Sequence, residues 1–108
     1  MSSNLVEVIV DRPLGSRHPN HPDIVYEVNY GYVPGIFGGD GEEQDAYILG
    51  VAEPVMEFVG KLIAVIKRKN DAEDKWVVAP VDLYFTENEI CTAVSFQEKF
   101  FESEIIMI

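Results

Sequence analysis

Asp40-Gly41-Glu42-Glu43-Gln44-Asp45 crowds four carboxylates into six residues, directly after Asn29-Tyr30-Gly31-Tyr32-Val33-Pro34-Gly35 and a glycine-rich turn. Like charges a few ångströms apart resist ionising together unless a cation joins them, so the stretch reads as a divalent-metal site serving phosphate chemistry. Mg²⁺ suits it, with Mn²⁺ as a substitute, because Mg²⁺ prefers hard oxygens and takes a couple of carboxylates together with waters and substrate phosphate oxygens. A solvated acidic turn is the competing reading. An EF-hand is excluded by spacing, since the twelfth loop position counted from Asp40 is Val51 and not a bidentate Glu.

Other groups carry weaker signals. His18 and His21 suggest a metal pair, but Pro19 and Pro22 prevent regular helical presentation and no third ligand is near in sequence, so a surface loop is expected. Lys67-Arg68-Lys69 should split across strand faces, with Lys67 and Lys69 together at a solvated strand end. Tyr30 and Tyr32, two apart on a strand, would share one face, either as packing residues or as part of a site. Cys91 is the only cysteine, and its apolar-periodic surroundings predict a small core residue.

The elements that must position these groups are mostly strands. Leu5 to Val10 is a β-rich run ended by Asp11-Arg12-Pro13, and Leu14 to Asp23 is an irregular excursion. Val25 to Val33, Ala46 to Val51, Leu62 to Lys69 and Trp76 to Pro80 read as extended, the last two as a hairpin across a polar turn. Thr86 followed by Glu89 forms a capping box, and Ile90, Ala93, Val94 and Phe101 fall near one face of a helix of about four turns. Short strands with a single late helix predict a mainly β (α+β) fold, a small twisted barrel with the helix packed across it. The apolar Ile105-Ile106-Met107-Ile108 should dock on its own domain or on a second copy in a homo-oligomer.

Length and charge narrow the function. A chain of 108 residues fits one domain, residues 1–108. With 19 acidic against 8 basic residues and a formal charge of −11, nucleic-acid binding is disfavoured, since it needs clustered Lys and Arg. The same charge repels a bare anionic substrate, so a phosphate ligand must bring a metal or meet a local basic patch. No stretch approaches the roughly 20 apolar residues of a membrane span, and no signal segment opens the chain, so a soluble cytoplasmic protein is expected.

Three segments in order, Val10-Asp11-Arg12, Asn29-Tyr30-Gly31-Tyr32-Val33-Pro34 and Asp40-Gly41-Glu42-Glu43-Gln44-Asp45, resemble soluble family I inorganic pyrophosphatases. Lys75-Trp76-Val77-Val78-Ala79-Pro80 is similar to that family's later Lys-containing strand. The resemblance implies a five-stranded oligonucleotide-binding-like barrel, a site at its mouth, and Mg²⁺-dependent hydrolysis of pyrophosphate to two phosphates. It further implies Asp40, Glu42 and Asp45 as the acidic trio, the outer two holding metal and Glu42 helping to activate water in the place of an Asp. Arg12 and Lys75 would contact phosphate, Tyr30 would stand beside the metals, and Glu73, with Asn70 or Asp71, would add metal ligands. Phe100 and Phe101 fall where the family carries a Tyr-Lys pair, and N-terminal strands bearing a Glu and a Lys have no counterpart. These departures leave two alternatives open: a noncatalytic module that retains metal or phosphate affinity, and a hydrolase of another small phosphoanhydride.

Overall fold

The computed structural model describes residues 5–69 and 73–108. Among the described residues, six strands and one helix follow in the order β1 Leu5–Arg12, β2 Asn29–Phe37, β3 Glu43–Ile48, β4 Glu57–Arg68, β5 Asp74–Ala79, α1 Glu87–Glu98 and β6 Ser103–Met107. Hydrogen bonding runs β1-β2-β3-β5-β4 and closes through β4 onto β1, giving the expected five-stranded barrel with one helix. All neighbours are antiparallel except β3 and β5, which run parallel through Ala46–Trp76 to Ile48–Val78. Closure leaves these five strands no continuous open edge, which a small sheet of apolar strands would otherwise expose.

β4 is long enough to serve three partners. One of its edges takes β1 along Glu57–Lys61 and then β6 along Ala64–Arg68, while the opposite edge takes β5 along Lys61–Lys67. The apolar C-terminal run therefore docks on its own barrel as β6. Ile106, Met107 and Ile108 nevertheless remain exposed.

Strand alternation splits the packing into two clusters. Ala46, Ile48 and Val78 join Val8 and Val33 in one cluster, while the intervening Tyr47, Leu49 and Val77 join Ile90, Val94 and Phe96 of α1 in the other. The capping box holds as expected, with Glu89 N donating to Thr86 Oγ1 and Thr86 N donating to Glu89 Oε1. Ile90 and Val94, one turn apart, define the inner helix face, which turns Cys91 outward; it is exposed and not a core residue. Phe101 also departs from the expected helical stripe, because α1 ends at Glu98 and the chain turns before it.

The stretch expected to be extended from Val25 becomes a regular strand only at Asn29. Before that, Arg17 and Val25 form an isolated bridge. The buried Asn29 side chain accepts from Leu14 N and Val55 N and donates to the Glu53 carbonyl, tying two loops to the start of β2. Among the described residues, no helix is long and apolar enough to cross a membrane.

Candidate functional site

Strand ends converge on a cavity of about 570 Å³ on the helix-facing side of the sheet. Arg12 arrives from the end of β1, Tyr30 from the start of β2, Asp45 from β3 and Lys75 from the start of β5, with Glu73 just ahead of it; all five line this cavity. Asp11 lines it too, although neighbours on a regular strand point to opposite faces. A bulge explains this. Val10 pairs with Gly31 and Arg12 with Tyr30, so Asp11 is the extra residue of β1 and the local twist re-aims the side chains beside it. The crossing also requires glycine at Gly31, where a Cβ would lie 1.9 Å from the Ile9 carbonyl oxygen.

The buried cations Lys75 and Arg68 of the cavity wall are paired with carboxylates. Lys75 is buried, and its ammonium donates to Asp45 at 2.6 Å and to Glu73. A buried ammonium is strongly disfavoured unless carboxylates compensate it, and here two do. Arg12 donates to the Tyr26 hydroxyl at 2.7 Å and stands 5.7 Å from the ring centres of both Tyr26 and Tyr30. Burial, then the neighbouring Asp45 carboxylate, pushes the Tyr30 phenol far above its ordinary range, so Tyr30 stays protonated. Asp11 is also pushed up, by desolvation first and by Asp45 in addition, with Arg12 and its own backbone opposing.

A second network continues the wall toward the helix. Tyr26 donates to Gln97 Oε1 at 2.7 Å, Gln97 Nε2 to the Tyr47 hydroxyl at 2.7 Å, and Tyr47 to Glu98 Oε2 at 2.6 Å. Arg68 closes the chain with two bonds to the Glu98 carboxylate, at 2.7 and 3.2 Å. Burial alone would lower the Arg68 pKa, but Glu98 outweighs it and fixes the guanidinium as a cation. Arg68 is thus a buried wall of the cavity, while Lys67 and Lys69 point to solvent as expected.

Other expected site residues are not gathered here. Asp40 and Glu42 sit exposed on the turn between β2 and β3, outside the cavity lining. Asp40 Oδ1 accepts from the Glu42 N–H at 3.0 Å, so its carboxylate closes its own turn, where Gly41 has φ +83°. Asn70 and Asp71 lie outside the described residues. His18 and His21, their ring centres 5.1 Å apart, face the cavity from the loop after β1. Gln44 is buried and packs between strands, donating to the carbonyls of Asp74 and Asp45.

The described residues show no ready site for a resident Mg²⁺. Among the described residues no three His, Cys, Asp or Glu side chains gather to hold an ion, and the ammonium of Lys75 already occupies the space between Asp45 and Glu73. A cation delivered on a phosphate ligand is a different case, because the ligand's oxygens replace most of the protein donors.

Neither a family model nor a curated protein sequence matches the chain. Solved structures do match in fold. An inorganic pyrophosphatase from Ehrlichia chaffeensis superposes with a TM-score of 0.71 at 18% identity, covering 96% of this chain and 85% of that one. The corresponding protein from Neisseria gonorrhoeae gives 0.68 at 18% identity, covering 86% and 71%. That from Thermus thermophilus gives 0.63 at 14% identity, covering 96% and 81%. This barrel and helix are therefore a pyrophosphatase-like fold.

Proposed function

We propose that the cavity takes pyrophosphate, or a closely related phosphoanhydride, as its Mg²⁺ complex and hydrolyses the anhydride to two phosphates. The observation that carries this reading is the convergence of Arg12, Lys75, Asp45, Glu73 and Tyr30 from separate strands on one cavity. A cavity that alternates cations and carboxylates complements a ligand that itself alternates phosphate and metal. Arg12 and Lys75 would hold phosphate oxygens, and Asp45 and Glu73, once released from Lys75, would hold the cation that the ligand brings. This also meets the requirement set by a net charge of −11, since the ligand arrives largely neutralised.

For the chemical step, Asp11 accepts the proton of the attacking water. The water oxygen bonds one phosphorus as the bridging P–O bond breaks, and the second phosphate leaves with the bridging oxygen. Asp11 suits the role because it lines the cavity and burial raises its carboxyl above the usual carboxylate value, which strengthens a general base. Protonated Tyr30 stands ready to donate to a phosphate oxygen. Positioning and charge stabilisation supply most of the rate in such reactions.

A second reading, binding without turnover, is favoured by the position of Asp40 and Glu42 outside the cavity lining. Phosphate release from pyrophosphate with Mg²⁺, compared between the wild type and Asp45→Asn, separates the two. Hydrolysis requires Mg²⁺-dependent release that falls at least roughly tenfold in the variant. Saturable binding with no release above the variant would replace hydrolysis by the binding reading.

A further inference from the structure

The cavity is larger than a pair of joined phosphates needs. Its volume of about 570 Å³ lies within the range of roughly 300–1,000 Å³ that encloses drug-sized organic ligands. Beyond the charged groups, the lining includes Phe100 and Phe101, which are 60% and 44% exposed. Adjacent aromatic rings left in water on a cavity wall forgo burial that a ligand could supply.

The backbone that carries these rings is held in place. Phe101 N donates to the Glu98 carbonyl and Phe100 N to the Gln97 carbonyl, so both follow from the last turn of α1. Both residues providing those carbonyls have side chains locked in the buried chain that begins at Arg12. Above Phe101, at 3.7 Å, lies the Arg68 guanidinium, itself clamped by Glu98. A ring backed by a planar guanidinium forms a flat platform of the kind on which nucleobases stack.

We propose that the cavity's ligand is an organic diphosphate with a planar base, a nucleoside diphosphate, with its phosphates at Arg12 and Lys75 and its base on Phe100 and Phe101. This rests on the reading of the cavity as a phosphoanhydride site. An aromatic base is favoured over an alkyl chain because the platform offers flat faces and a stacked cation, which attract π-systems more than aliphatic groups.

Calorimetry with Mg²⁺–ADP, Mg²⁺–pyrophosphate and Mg²⁺–geranyl diphosphate tests it on the wild type, on Phe100→Ala and on the Phe100→Ala/Phe101→Ala pair. Circular dichroism checks that the variants fold, which the exposure of both rings favours. ADP should bind about tenfold more tightly than pyrophosphate, near the low end of what stacking one base contributes. The double variant should remove that advantage and leave pyrophosphate binding unchanged, with the single variant between. If pyrophosphate binds and ADP gains nothing, or gains equally in the double variant, the base platform is overturned while the phosphoanhydride site stands. Tighter binding of geranyl diphosphate than ADP would overturn the planar base. Binding of none of the three would overturn both readings.

Discussion

Lys75 controls the electrostatics of the cavity. Its ammonium is held by Asp45 and Glu73 and is nearly inaccessible to water, whereas the two carboxylates are about a third exposed. Replacing it with methionine leaves two carboxylates facing each other beside Tyr30. The cost should be roughly 2 kcal/mol, below the usual range for a fully buried pair because solvent screens both acids. Urea denaturation measures it, and a change under about 0.5 kcal/mol would show that the pairing contributes little. Asp11 makes a pH-dependent prediction of opposite sign. Its carboxyl titrates higher in the folded chain than in the unfolded one, so the stabilisation from protonation is full below the unfolded value and is lost as pH rises through the folded value. Asp11→Asn should therefore raise Tm relative to the wild type at neutral pH, with the advantage vanishing as pH falls toward about 3. An advantage independent of pH would remove the carboxyl's titration as its cause.

At the scale of elements, the site depends on how β1 crosses β2. The bulge at Asp11 turns two consecutive acidic and basic side chains into the same cavity, and it forms where the strands approach too closely for any side chain at Gly31. Gly31→Ala should cost about 3 kcal/mol by forcing the strands apart, and pocket affinity should fall with it; full stability of this variant in chemical denaturation would contradict the crossing described. The legibility of the sequence divides along the same line. Arg12, Tyr30, Asp45, Glu73 and Lys75 could be read in advance because each sits in a short local segment with a recognisable order. Asp11 was visible within Val10-Asp11-Arg12, but its orientation depends on register between strands. The Arg12-Tyr26-Gln97-Tyr47-Glu98-Arg68 chain joins residues up to 71 positions apart, and no local pattern encodes it. The barrel, the β4–β5 hairpin and the capped helix were legible from alternation, turn residues and Thr86 with Glu89. Cys91 was misplaced because helical phase is fixed by Ile90 and Val94, which leave its position facing water. Asp40 and Glu42 stand out by acidic density and by the family resemblance, but turn geometry engages the Asp40 carboxylate with the Glu42 N–H.

For the whole molecule, charge sets the form in which a phosphate ligand can arrive. With a net charge of −11 and a cavity in which Lys75 and Arg68 are already held by carboxylates, bare pyrophosphate meets repulsion. In the proposed reading the Mg²⁺ complex would be less repelled, because its cation would engage Asp45 and Glu73 as its phosphates take Lys75 and Arg12. The fold gives these exchanges a rigid frame: a closed barrel on one side and a helix anchored by a buried hydrogen-bond chain on the other. The most direct test is a calorimetric titration of the protein with pyrophosphate, once with excess Mg²⁺ and once with EDTA, in parallel with Asp45→Asn. The expected result is saturable binding with Mg²⁺ that weakens at least about tenfold in EDTA and about tenfold in the variant. Equal binding with and without Mg²⁺, or no binding by a folded protein in either condition, would contradict the central claim.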